Sequence, residues 1–164
     1  MLKYWLVAYT KPRHEKKSAE ALRISGIEVF LPLQRQLKTW SDRKKMIESP
    51  LFPGYLFVNV TENEHYKVLN SYGVVKFIYF NNKPAIVKED VIVSIQRLLN
   101  SETINNVEIT DSELVIGEEI IINKGSLIGL KGKLVNFKGK NRIAIEIECM
   151  RKTVLVDIDK SFIN

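Results

Sequence analysis

Apolar and polar positions alternate with a period of two from the start of the chain. In residues 4–10, Trp5, Val7 and Tyr9 fall on one side and Tyr4, Leu6 and Ala8 on the other, which predicts a first strand. Pro12 suits a first helical turn, and the pattern then predicts a helix running to Ser25, with Ser18, Ala21, Leu22 and Ser25 along a narrow stripe and Gly26 as its stop. Residues 27–31 read as a second strand closed by Pro32. Residues 55–60 read as another, with Leu56, Val58 and Val60 on one face and Tyr55, Phe57 and Asn59 on the other. Thr61 and Glu64 form a capping box before a short helix to about residue 70, expected to bury Tyr66 and Leu69. Residues 74–80 predict a strand, and Asn81-Asn82 a turn into Pro84-Ala85-Ile86-Val87. Glu89 and Asp90 open a third helix with Val91, Ile92, Ile95, Leu98 and Leu99 on its apolar face. This order predicts a small α/β sandwich over residues 1–100.

The most constrained stretch is Ser49-Pro50-Leu51-Phe52-Pro53-Gly54-Tyr55-Leu56-Phe57-Val58. Two prolines fix backbone angles and remove donors, and Gly54 permits a sharp entry into the strand. The stretch reads either as a buried sheet corner or as an apolar docking surface made by Phe52 and Phe57.

Residues 101–113 are polar and without period, and read as a linker. Residues 114–164 change character. Residues 120–122, 133–137, 142–149 and 153–157 read as short strands, and Ile143, Ile145 and Ile147 alternate with Ala144, Glu146 and Glu148. Glycines at 125, 129, 132 and 139 punctuate the turns, and a small β-barrel is expected. The fold class is therefore α+β, an α/β sandwich followed by a barrel.

Composition sharpens this picture where charge is concerned. The net charge of +6 is uneven: residues 1–100 hold 16 Lys/Arg against 9 Asp/Glu, and residues 101–164 hold 9 against 10. A basic part beside a near-neutral part points to one polyanionic partner and one protein partner. Residues 33–48 read as a basic hairpin turning at Trp40-Ser41-Asp42-Arg43, with Arg35, Lys38, Arg43, Lys44 and Lys45 around Trp40. Cations for phosphates beside an aromatic for a base make these nucleic-acid-binding candidates. The exposed faces of the first helix and its approach carry Lys11, Arg13, His14, Lys16, Lys17 and Arg23, three of them in the first turns, where a helix N-terminus already favours anions.

Other chemistry finds little support. Cys149 is the single cysteine, so neither an internal disulfide nor a multi-cysteine zinc site is expected, and His14 and His65 sit in unrelated contexts. No apolar run is long enough to span a membrane, and the chain moves straight from Met1 into a strand pattern. A cytoplasmic, monomeric, non-enzymatic protein without metal or cofactor is the expectation.

The residues assembled above resemble the NusG family of transcription elongation factors. Tyr4-Trp5-Leu6-Val7-Ala8-Tyr9, the Pro50–Val58 motif, Val74-Val75-Lys76-Phe77 and Pro84-Ala85-Ile86-Val87 resemble its N-terminal domain in order. Ile122-Asn123-Lys124-Gly125-Ser126-Leu127-Ile128-Gly129-Leu130-Lys131-Gly132-Lys133-Leu134-Val135 resembles a KOW motif. Arg13-His14-Glu15-Lys16-Lys17 and Trp40-Ser41-Asp42-Arg43-Lys44-Lys45 are similar to the UpxY-type antiterminators of capsular polysaccharide operons, with RfaH-like specialists as neighbours.

The resemblance implies an NGN-like domain that docks on the clamp helices of the RNA polymerase largest subunit and disfavours pausing. By position it assigns Tyr9, Phe52, Phe57, Ile92 and Ile95 to polymerase binding; each has plain core as its competing reading. Lys11, Arg13, His14 and Lys17, together with the basic hairpin, would face upstream or non-template DNA and so are its nucleic-acid-binding candidates, and the KOW domain would meet a small-subunit ribosomal protein or Rho. A ribosome-associated KOW-containing RNA-binding protein is the alternative.

Overall fold

The computed structural model describes residues 2–101, 107–111, 117–137 and 139–158. The chain forms two compact units, Met1–Ile86 and Val87–Asn164.

The first unit is a mixed α/β layer. Its strands are β1 (Tyr4–Thr10), β2 (Glu28–Phe30), β5 (Tyr55–Val60) and β6 (Val74–Phe77), antiparallel in the order β2-β5-β1-β6, with β9 (Ile86–Val87) also pairing β1. Helix α1 (Glu15–Ile24) supplies Ala19 and Leu22 to a core closed by Leu6, Ala8, Leu56, Val58, Val60 and Phe77. On β1 and β5 these are the positions of one parity, facing α1, while Trp5, Val7 and Phe57 of the other parity are buried as well, so both faces of the two central strands are covered. On α1 the buried positions are Glu15, Ser18, Ala19 and Leu22 rather than the expected stripe through Ala21 and Ser25.

The capping box forms: Glu64 accepts from the Thr61 backbone N–H at 2.9 Å and from its hydroxyl at 3.1 Å. These bonds hold the Glu64 carboxyl below its usual range. The helix that follows, α2 (His65–Leu69), buries Val68, whereas Tyr66 is 79% exposed and Leu69 is exposed. Five residues are too few for a helical stripe to establish itself, and Val68 takes the single inward position.

Strands β3 (Leu33–Thr39) and β4 (Lys44–Pro50) form a separate two-stranded sheet, with Trp40 N–H bonded to the Arg43 carbonyl across the turn. A second small hairpin, β7 (Tyr79–Phe80) with β8 (Lys83–Pro84), turns through Asn81 and Asn82, both in the left-handed region.

The second unit contains α3 (Glu89–Asn100), which buries Ile92, Ser94, Ile95 and Leu98. The sequence pattern put the boundary at residue 100, whereas the compact units part after Ile86. Within this unit, Arg97 donates to the Ile128 carbonyl at 3.0 Å. The remaining strands are β10 (Val107–Thr110), β11 (Glu118–Ile121), β12 (Lys131–Phe137), β13 (Lys140–Ile147) and β14 (Lys152–Asp157), in the order β10-β14-β13-β12-β11. Among the described residues no pairing of β10 with β11 closes this sheet into a barrel.

The expected linker over 101–113 is corrected in part. Residues 107–110 form β10, paired in register with β14 from Val107 opposite Val156 to Thr110 opposite Thr153. Local polarity hid the strand, because its partner lies more than 40 residues away. Residues 102–106 and 112–113 lie outside the described residues. On β13 the alternation expected at Ile143, Ile145 and Ile147 gives way to burial of Arg142, Ile143, Ala144, Ile145 and Ile147.

Candidate functional site

The proline-braced corner is fixed from three directions. Gly54 has φ +83°, a conformation side chains rarely adopt, and a Cβ there would stand 2.9 Å from Cε2 of Tyr9. Its N–H donates at 2.7 Å to the buried Glu15 carboxylate on α1, and its carbonyl accepts from Thr10 N–H at 2.8 Å. Tyr55 N–H closes the turn onto the Phe52 carbonyl at 3.0 Å. The corner therefore locks β5 against β1 and lays the Tyr9 ring over the glycine.

Behind it, Phe57 stacks on Phe30 at 5.9 Å and meets Phe52 edge-on at 6.0 Å. Phe52 and Phe57 are 1% and 0% exposed, so both are packed in the interior while Tyr9 is half-buried. Of the other residues expected at an apolar docking site, Ile92 and Ile95 are buried on α3 in the second unit.

The sequence pattern did not single out two residues on this face. Tyr55 lies opposite Tyr9 on one side, with ring centroids 5.4 Å apart, and Lys76 lies opposite Tyr9 on the other. The parity of Tyr55 with Phe57 was visible in the sequence. The pairing that brings Lys76 beside Tyr9 was not.

The cationic residues fall into two groups. Lys11, Arg13, His14 and Lys17 occupy the turn before α1 and its first turns. Arg13 adopts φ 63°, the His14 Nδ1 lies 2.9 Å from the Pro12 carbonyl, and the His14 ring lies 5.7 Å from Tyr72. Lys11 N–H is tied to the Gly73 carbonyl at 2.8 Å, so this turn is held on β6's approach.

The second group is the hairpin. Its register places Lys38 directly opposite Lys45, and Thr39 opposite Lys44. Like charges facing each other across strands are unfavourable, and the pair sits where an anion would relieve it. Leu37 and Met46 pair on the other face and are 58% and 59% exposed. On that face Arg35 is engaged with Glu48 at 2.8 Å. Trp40, half exposed at the tip, lies 5.8 Å under the Arg43 guanidinium. Lys16, an exposed α1 lysine, donates to the Glu48 carbonyl at 3.1 Å and ties the hairpin base to α1.

Among the described residues no group of three His, Cys, Asp or Glu side chains is arranged to hold a metal ion, and no helix is long and apolar enough to cross a membrane. Burial pushes the Cys149 thiol up to about 11.

Comparison with known proteins gives these features a context. The family model described as transcription termination factor nusG matches residues 3–96. The chain is 25% identical over 165 residues to the transcription termination/antitermination protein NusG of Chlamydia pneumoniae, covering 93% of this chain and 89% of that protein. The corresponding protein of Chlamydia muridarum is 23% identical with the same coverage. Among solved structures, one titled "Domain interaction in Thermotoga maritima NusG" aligns with TM-score 0.51 and 21% identity over 99% of this chain and 96% of that one.

Proposed function

This chain belongs to the NusG family of transcription termination/antitermination factors, and from that premise we propose a non-catalytic factor that binds RNA polymerase and suppresses pausing or termination. In this reading the first unit docks on the clamp helices of the largest subunit, through Tyr9 on a floor of Phe52 and Phe57. Ile92 and Ile95 serve as the core of α3. The hairpin and the turn before α1 face upstream or non-template DNA.

The observation that carries the reading is the Glu15-clamped corner at Gly54, which holds an aromatic pair, Tyr9 and Tyr55, in a fixed place on the sheet. A preorganised aromatic surface binds without first ordering its side chains. Excess positive charge on the first unit, displayed on exposed lysines and arginines, supports the nucleic-acid contact.

We extend the reading to the second unit as a KOW-type barrel that meets a small-subunit ribosomal protein or Rho. Burial of Ile122, Leu127 and Leu130 in the motif supports a packed module there. The motifs at 13–17 and 40–45 support a specialised, UpxY-like role in capsular polysaccharide operons; the reading takes the factor to act in the cytoplasm as a monomer.

The test is in vitro transcription with purified polymerase on templates with different leader sequences. Shortened pauses or readthrough with the protein present are expected, with one leader preferred. Unchanged pausing together with no co-elution with polymerase would refute the proposal.

A further inference from the structure

The β3–β4 hairpin carries different chemistry on its two faces, and the register assigns each side chain to one of them. Gln34, Gln36 and Lys38 share a face with Lys45, and that face carries no carboxylate. On it, Gln36 Nε2 donates to Gln34 Oε1 at 3.0 Å. The opposite face holds the exposed Leu37–Met46 pair and an arginine already neutralised, Arg35 by Glu48. Every residue from 35 to 46 is exposed, so the ribbon is solvated on both faces over roughly 15 Å of each strand. At the tip, one side of the Trp40 ring is taken by the Arg43 guanidinium, 5.8 Å from its centroid.

We propose that the glutamine–lysine face of this ribbon lies in the major groove of double-stranded DNA, where Gln36 reads an adenine and Lys38 and Lys45 meet the phosphates on either side. The inference rests on the hairpin's assignment to DNA, and names the form of DNA and the contact. A major groove about 12 Å wide admits a two-stranded ribbon, whereas a minor groove of about 6 Å does not. Lys38 and Lys45 stand directly opposite on strands about 5 Å apart, so their stems reach toward opposite groove walls, and the phosphates relieve their mutual repulsion. The bond to Gln34 orients the Gln36 amide and leaves it one N–H and its carbonyl. Those two groups complement the N7 acceptor and N6 amino donor of adenine, an edge exposed in the major groove. Single-stranded DNA is taken instead by a cationic groove with stacking aromatics. The hairpin offers one aromatic, already half covered by Arg43, on a projecting ribbon.

The test is fluorescence anisotropy of the full-length protein on a DNA duplex selected by binding from a pool with a randomised core. Its two separated strands, an RNA duplex of the same sequence and the DNA duplex with 7-deazaadenine for adenine are the comparisons. The DNA duplex should bind at least about tenfold more tightly than either strand or the RNA duplex, whose deep, narrow major groove shuts the ribbon out. Removing N7 should cost the wild type about tenfold. Gln36→Ala should lose about tenfold on the unmodified duplex, nothing further on the 7-deaza duplex, and keep its salt slope. Lys38→Gln should lower the slope of log affinity against log salt by about one. Circular dichroism and thermal melts of both variants should match wild type, because both positions are exposed. A pool without a preferred sequence, strands or RNA duplex bound as tightly as the DNA duplex, or a 7-deaza loss that persists in Gln36→Ala would overturn the inference while leaving the hairpin on DNA. No binding to any DNA, or an unchanged slope in Lys38→Gln, would overturn both.

Discussion

Arg142 on β13 places its Nη1 2.6 Å from Oε2 of Glu108 on β10. The same guanidinium brings Nε within 2.6 Å of Asp157 Oδ1 on β14, a second close ion pair. Arg142 is 4% exposed, so its charge is held inside the sheet by these two carboxylates. The hydrogen bond to Glu108 raises its pKa, against the opposing effect of burial. This arrangement joins three strands, one of them from the stretch whose polarity looked like linker. Arg142→Ala should destabilise the second unit by about 3 kcal/mol, the low end for breaking a buried pair, because the carboxylates left behind are partly hydrated. Urea unfolding followed by far-ultraviolet circular dichroism reads this directly. A loss under about 0.5 kcal/mol would place the triad among surface-type pairs.

The corner at Gly54 gives a second prediction. Gly54→Ala adds a Cβ at 2.9 Å from the Tyr9 ring and imposes φ +83° on alanine. A cost of about 2 kcal/mol follows from backbone strain alone, with Tyr9 displaced and polymerase affinity reduced in parallel. Glu15→Ala leaves the buried Gly54 N–H without its acceptor and should cost about 1–3 kcal/mol, whereas Glu15→Gln retains a carbonyl acceptor and recovers most of it. Equal melting temperatures for the two Glu15 variants would show that the bond does not secure the corner.

In the hairpin, stability and binding should move in opposite directions. Lys45→Glu turns the Lys38–Lys45 facing pair into one of opposite charge, which should stabilise the hairpin by about 0.2–1 kcal/mol. The same change should weaken DNA binding and reduce the slope of log affinity against log salt by about one for each phosphate no longer neutralised. Nuclear magnetic resonance amide exchange in β3 and β4 reports the first effect and a salt titration the second. A variant that binds DNA with an unchanged slope would return the pair to ordinary surface charge.

Cys149 supplies a prediction in pH. Burial raises its folded-state pKa to about 11, above the ordinary value of 9.0, so the folded protein holds the thiol proton more tightly than the unfolded chain. The associated stability is fully present below about pH 9 and is lost as pH rises toward about 11. Ellman's reagent at about pH 8 should react slowly with the native protein and quickly in urea. Fast reaction in the native state would contradict the burial.

How far the chain could be read in advance differs element by element. Strands β1 and β5 were legible because alternation over six or seven residues assigns each side chain a face without reference to any partner. The capping box at Thr61 and Glu64 was legible because its two bonds span three residues. The β3–β4 hairpin and its cations were legible because a four-residue turn brings them together locally. Sequence alone thus determined the faces, the caps and the basic hairpin. Other features depended on pairings between distant segments, and only the tertiary structure decided them. Whether Phe57 is surface or interior turned on Phe30 and Phe52 closing over it. That Lys76 stands beside Tyr9 turned on the β1–β6 register. That residues 107–110 are a strand turned on β14, whose ladder satisfies backbone groups that local polarity would have left to water. The physical reason is common to all three: periodicity fixes where a side chain points, while contact between remote segments fixes what it meets.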